Sequence, residues 1–291
     1  MSNFLQVVFS GMVLGLIYSV IALGYQSTYS TSKTINFGQG EAVALGGLLA
    51  FTLAPLVSYW GAVPLVALAG AGLGLLTYYA AVAPALKRGS ESGWILGTIA
   101  LGPLVLKNVF EAVWGKDDLA VAAPFSPAPF VLFDIRILPM EVLTMGAVGA
   151  AVLVLGWFMA RTRYGKAVTA VAIDRSTAEL MGIRSSWVVS GSYALSGALA
   201  ALAGLLIAPL TTTSASMGAV LGLKAFQVAV LGGLTSARGV LVGGLFIGVL
   251  DAVTAYSVSS LYKEIPGLVL LLLMLSFRPT GLFGSAVIKK V

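Results

Sequence analysis

MEVLTMGAVGAAVLVLGWFMA (140–160) runs without a break into RTRYGKAVTAVAIDRSTAELMGIRSS (161–186). The first stretch has one acid, Glu141, at its start and is apolar on every helical face after it. At 1.5 Å of rise per residue it is long enough to cross a hydrocarbon core of ~30 Å. The second stretch has the charge density of a soluble protein and must sit in water. Its Arg161, Arg163, Lys166, Arg175 and Arg184 put that water on the cytoplasmic side.

Outward from this junction the apolar pattern repeats. Candidate spans are 4–25, 42–60, 62–84, 93–114, 140–160, 186–208, 219–236, 239–257 and 259–277. The fold class is therefore all-α, a polytopic membrane protein with eight or nine transmembrane helices. Two spans are weak: Lys224 and several glycines interrupt 219–236, and the last run is purely apolar only from Ile265 to Phe277. A β-barrel does not fit, because barrel strands alternate apolar and polar residues and these runs do not. The 35 glycines suit helices that must approach closely where lipid supplies no hydrophobic push.

The chain is 58% hydrophobic and 10% charged, with a mean hydropathy of +0.99. Its net charge of +6 follows from the positive-inside bias and does not point to nucleic acid. With the N-terminus outside, the cytoplasmic segments collect Lys33, Lys87, Arg88, the basic residues of 161–186, Arg238, Arg278, Lys289 and Lys290. Lys107, Lys116, Arg136, Lys224 and Lys263 fall outside or near an outer helix end. The protein is expected in a bacterial-type cytoplasmic (inner) membrane, with the C-terminus cytoplasmic. The N-terminus MSNFLQ lacks a basic n-region, so the first run is read as retained. Residues 1–291 read as one transmembrane domain with two long loops. The first, 115–139, is proline-rich and extracytoplasmic with one short helix; the second, 161–185, is cytosolic.

Histidine and cysteine are absent. That removes thiolate nucleophiles, serine–histidine pairs and nearly all transition-metal sites, and no cofactor or enzymatic activity is expected of this chain. No glycine-rich loop ends in GK[ST], so any ATP hydrolysis belongs to another subunit.

Polar residues break the hydropathy twice. In GYQSTYSTSKTINFGQGEAVALGG (24–47), Asn36, Gln39 and Glu41 are candidates for a translocation path, since irregular backbone at membrane depth belongs against protein or a watery cavity. They read equally as an ordinary polar loop with a turn at Gly38 and Gly40 and with Glu41 at the positive end of the next helix. In PLTTTSASMGAVLGLKAFQVAVLGGLTSARG (209–239), Thr212 and its neighbours are candidates for a vestibule, or for a solvated outer loop. The two breaks hint at an internal repeat. Asp251 is the acid set deepest in an apolar run, a candidate for the path or a buried hydrogen-bond partner. Glu111 and Glu141 sit near helix ends. From Gly165 to Gly182 the spacing predicts one amphipathic helix, with Ala167, Ala170, Val171, Ala178 and Met181 on its apolar side and Gly182 ending it. Such a helix either stabilises a loop or docks into a partner's groove.

Four ordered motifs carry a resemblance: INFGQGE (35–41), YGKAVTAVAIDRSTAELMGI (164–183), GLKAF with VLGGLTSARG (222–239) and FRPTGLFG (277–284). Over nearly its whole length the chain resembles the permease subunits of branched-chain amino acid ABC importers of the LivH/LivM type, and is closer to LivH. The resemblance implies an ABC importer permease architecture with discontinuous helices. It also implies a second homologous permease, two ABC ATPase subunits and an extracytoplasmic solute-binding protein as partners. The helix 165–182 would be the coupling helix, with Lys166, Asp174, Arg175, Glu179 and Gly182 at the ATPase. The chain departs from the family at Gln39, where histidine is frequent, which leaves the solute open. Branched-chain or other hydrophobic amino acids are the first reading, urea, short amides or other small solutes a second. An ion-coupled secondary transporter, in which Asp251 or Glu41 would titrate, is the competing class.

Overall fold

A computed structural model describes residues 2–88, 92–125, 128–132, 135–278 and 280–284. Every expected apolar run carries helix. α1 is Ser2–Ser32, α2 Gln39–Leu53, α3 Tyr59–Lys87, α4 Gly93–Trp114 and α5 Pro139–Arg161. After these come α6 Arg163–Ile173, α7 Arg175–Leu180, α8 Ser185–Ile207, α9 Met217–Gly232, α10 Ala237–Ser257 and α11 Ile265–Phe277. Among the described residues, seven helices are long and apolar enough to cross a membrane, the last counted from Ser260. α2 and α9 are not, since their 15 and 16 residues give only about 22–24 Å. The shortness of α9 agrees with its weak hydropathy. α2 was not expected to be short; the run 42–60 spans a turn over residues 54–58, and Ser58 caps the next helix by accepting from Gly61 N.

Contacts fix where the short helices begin. α1 runs antiparallel to α8, and Gly24 sits at the level of Ser196, about halfway along α8. α2 starts at that same level and runs parallel to α8. α9 also starts there and runs the other way, so the N-termini of two half-length helices meet at mid-depth. A Cβ on Gly218 would lie 2.5 Å from Gly40 O, and one on Gly222 2.9 Å from Gly40 Cα. Glycine is what lets these two backbones touch.

This arrangement is an inverted repeat. α1, α2 and α3 correspond to α8, α9 and α10 with directions reversed. The α1–α10 seam, where Gly11 and Gly15 face Gly248 and Gly244, matches the α8–α3 seam, where Gly197 faces Gly70 and Gly74. α4 leans on α2 through Gly102, whose Cβ would lie 2.5 Å from Gly38 Cα, and α11 leans on α9 through Gly267 beside Lys224 and Gln227. The close approach at Gly102 lies in a widened π turn, Ala100–Leu106, that also holds Pro103. Proline has no N–H to donate, and the widened turn absorbs the missing bond.

α5 to α7 stand between the halves. In residues 115–139 a β-hairpin replaces the expected short helix. β1 (Phe130–Leu132) and β2 (Ile135–Ile137) pair antiparallel, and Gln6 of α1 bonds both polar groups of the Arg136 backbone. Leu119 also pairs with Thr213, which ties this segment to the one leading into α9. Ser126, Pro127, Phe133 and Asp134 of this loop, and the C-terminal stretch with Lys289 and Lys290, lie outside the described residues.

Candidate functional site

Three polar constructions interrupt the apolar bundle. The first surrounds the meeting point of the half-helices. Residues 33–38 lead back from the end of α1, which Lys33 closes in the left-handed region at φ 57°, to the start of α2. Asn36 Oδ1 accepts from Gly38 N at 3.0 Å and so holds the turn, while Asn36 Nδ2 donates to Gln39 Oε1 at 3.4 Å. Gln39 is fully buried: its Nε2 donates to Ser196 O at 3.1 Å, and its Oε1 accepts from Ser196 Oγ at 2.8 Å. A side chain on Gly24 would displace the Gln39 amide. Glu41 is 2% exposed in the first turn of α2, near the helix's positive end, and its Oε2 has no partner among the described residues. Asn36 and Gln39 thus form one hydrogen-bonded cluster with Ser196, and Glu41, two residues on, lies instead beside Gly102 of α4. Thr212 is apart from this cluster, exposed on the segment before α9, and Asp251 is apart from it too.

The second construction is ionic and was not anticipated. Lys224, assigned from sequence to the outside or to an outer helix end, lies mid-helix in α9 and is 1% exposed. Its Nζ meets Asp251 Oδ1 of α10 at 2.8 Å and Glu264 Oε2, just before α11, at 2.9 Å, and donates to Lys263 O at 3.4 Å. An unpaired charge at this depth would be costly, so the lysine is held by both acids at once. Gln227, one turn further along, is buried beside Gly267 with neither amide atom paired among the described residues. The interruption of an apolar run by Lys224 was the available signal. Its partners, distant in sequence, gave none.

The third construction is the charged segment 161–186. The single helix expected over 165–182 is broken at Asp174, whose backbone is extended (φ −153°, ψ 111°). Its carboxylate accepts from Ser176 N at 2.9 Å and Thr177 N at 3.2 Å and from both of their hydroxyls at 2.7 Å, which caps α7 and ends α6. Those hydroxyl donors, then the amides, hold the Asp174 carboxyl down at about 2. Glu179 accepts from the Ser185 hydroxyl and from Arg175 Nε at 3.3 Å, and these bonds lower its pKa as well. Arg175 Nε also reaches Ser185 Oγ at 2.9 Å, so the network fastens α7 to the first turn of α8. Gly182 ends α7 at φ +83°, with Ile183 N bonded to Ala178 O at 3.0 Å. Lys166 lies on the exposed side of α6.

Val168, Val171 and Ala178 pack inward together with Val188, and Ala167 and Ala170 are partly buried against them. Met181, expected on that side, is instead 80% exposed. Leu180, its neighbour at the end of α7, is 88% exposed, and Ile173 at the end of α6 is 82% exposed.

Among the described residues no group of three or more carboxylates is placed to hold a metal ion. The model of a family described as the branched-chain amino acid transport system permease component matches residues 7–277. The chain is 29% identical over 310 residues to the high-affinity branched-chain amino acid transport system permease protein LivH of Escherichia coli, covering 99% of this chain and 98% of that one. It is 31% identical over 306 residues to the corresponding permease protein BraD of Pseudomonas aeruginosa, with the same coverage. A shorter match, 34% over 132 residues, covers 43% of this chain and 34% of the xylose transport system permease protein XylH of Haemophilus influenzae. No solved structure matches.

Proposed function

The chain belongs to the family of branched-chain amino acid transport system permease components, and we propose that it is the membrane-spanning subunit of an ATP-driven importer of branched-chain amino acids. It acts in the cytoplasmic membrane beside a second, homologous permease. Two ATPase subunits bind from the cytoplasm, and a solute-binding protein delivers from the other side. The observation that carries this reading is the apolar elbow of Ile173, Leu180 and Met181 on a segment made rigid by Asp174, Glu179 and Gly182. A capped, two-helix elbow transmits force where a flexible loop would absorb it. In this reading 161–185 is cytoplasmic and the elbow seats in a groove of an ATPase, with Lys166 and Arg175 at its charged rim. The orientation follows from the basic residues at this end of the bundle, with the β-hairpin at the extracytoplasmic end.

The path is formed where the half-helices meet, against the partner permease. Asn36, Gln39 and Glu41 shape the crossing, Thr212 belongs to the entry segment, and Asp251 holds α9 through Lys224. The exposed Phe37, Val220 and Leu223 beside the crossing offer an apolar lining that suits aliphatic side chains. Affinity purification of the tagged chain from its native membrane tests the assignment. A second permease and two ATPase polypeptides should come with it, and a Leu180→Asp, Met181→Asp variant should lose ATPase while keeping the second permease. A chain that purifies alone and moves solute down an ion gradient in ATP-free liposomes would replace this reading with a secondary carrier.

A further inference from the structure

α5 stands off from the rest of the bundle and leaves a crevice of about 1010 Å³ between itself and α1, α6, α8 and α10. The crevice is graded along the bundle axis. Leu153, Trp157, Leu195 and Leu241 wall the part within the bundle, and Leu153 and Trp157 remain 74% and 63% exposed. At the end beside α6 the walls become Gln26, Ser30, Thr169 and Thr235, with Lys33 and Arg238 at the mouth. No carboxylate is among the lining residues, and neither Lys33 nor Arg238 forms an ion pair among the described residues. Ser27 also borders this space, but its hydroxyl oxygen is buried and does not open onto it.

An apolar trough with two cations at one end, neither facing a carboxylate and Lys33 held only by Ser30 O at 3.4 Å and the Tyr29 ring, has in a chain embedded in a bilayer the polarity of a phospholipid. We propose that this crevice binds one anionic phospholipid, its acyl chains along Leu153 and Trp157 and its phosphate between Lys33 and Arg238. Charge decides between occupants. A neighbouring apolar helix would fill the walls but leave two cations without a counter-charge, whereas a phosphodiester answers both, as lipid headgroups do in basic pockets between transmembrane helices. Gly156 opens onto the same space, and nothing lies within 4 Å of where its Cβ would be. A side chain there projects into the crevice without colliding with the protein. The inference rests on membrane embedding and not on the identity of the solute.

The test uses the full-length chain, purified with whatever subunits accompany it, with Trp60, Trp94, Trp114 and Trp187 replaced by Phe, and the Trp157 signal is read as the difference from a matched sample that also carries Trp157→Phe. Phosphatidylglycerol or phosphatidylcholine with brominated acyl chains is titrated in mixed micelles. Quenching should favour phosphatidylglycerol, and since each basic residue near an anionic headgroup contributes on the order of fivefold, Lys33→Gln with Arg238→Gln should abolish the preference. Arg238→Lys, which keeps the charge, should retain it and serves as the folding control. Gly156→Leu should weaken quenching by both lipids severalfold at unchanged thermal stability. Equal quenching by the two lipids in the parent chain overturns the proposal, as does a preference that survives the double Gln change. Trp157 inaccessible to either lipid assigns the crevice to a protein neighbour instead.

Discussion

Replacing Lys224 by Met removes the cation that holds Asp251 and Glu264 together. At 2.8 Å the Lys224–Asp251 attraction is about 6 kcal/mol for an effective dielectric of ~20. Most of that is offset by desolvation of the charges, so the pair is worth far less than its attraction. Truncating one partner is another matter, because it leaves an uncompensated buried carboxylate and costs about 3–5 kcal/mol. Asp251 is 5% exposed and one of its oxygens already lacks a partner, so it has nowhere to turn. Lys224→Met alone should therefore destabilise the purified protein by about 3–5 kcal/mol. Lys224→Met combined with Asp251→Leu removes both charges and should recover at least about 2 kcal/mol of that loss. Glu264, at 35% side-chain exposure, can reach solvent and should contribute less to the cycle. Reversible denaturant unfolding in one detergent, run as a double-mutant cycle, reads these differences. A single variant within 1 kcal/mol of the parent, or a double variant as unstable as the sum of the singles, would refute the view that Lys224 is held by charge.

Gly218→Ala forces a methyl to within 2.5 Å of Gly40 O and should cost about 1–3 kcal/mol in the same assay, whereas Gly146→Ala, with open space around it, should be neutral. Gln39→Leu deprives Ser196 Oγ of its acceptor and should cost about 1–3 kcal/mol, with Ser196→Ala added to it returning part of the loss. The folded pKa of Asp174 is depressed from 3.8 to about 2, so its cap is fully present above the unfolded value and is lost as pH falls through the folded one. Hydrogen-exchange protection of the Ser176 and Thr177 amides, corrected for intrinsic rate, should hold from pH 7 to about 4 and vanish toward 2. A loss near pH 5 would mean that another group carries the cap.

The parts of this fold legible in the sequence are those set by local composition. Apolar runs gave the helices, and the glycines and hydroxyl residues of 24–47 and 209–239 gave the two interruptions. Hydropathy averages over direction, however, so the run 42–60 concealed that α2 ends at Leu53 and α3 starts at Tyr59. The break at Asp174 was written in the sequence as an aspartate followed by Ser176 and Thr177, a helix-capping pattern that the amphipathic spacing of 165–182 overrode. Met181 was misassigned for the same reason, because the break at Asp174 turns the helix away from a single continuous face. Gln39 and Asn36 stood out as polar residues in an apolar setting. Their partner Ser196 did not, because small hydroxyl residues are common in membrane helices and nothing local marks which one faces a glutamine. Lys224 was visible as an anomaly, but Asp251 and Glu264 join it only through the fold.

In the inverted repeat, a tilt that parts the half-helices toward one side of the membrane has a counterpart, carried by the pseudo-two-fold axis, that parts them toward the other. If the two halves rock as matched units, the repeated helices by themselves give neither open state a built-in advantage. Whatever tips the balance must enter through parts that are not repeated. Among the described residues those are the β-hairpin, α5, α6 and α7, inserted between the halves, the last two carrying the exposed Ile173 and Leu180. In the importer reading proposed above, the asymmetry that gives transport a direction would enter through this inserted segment, where a force need only exceed the difference in free energy between the two open states.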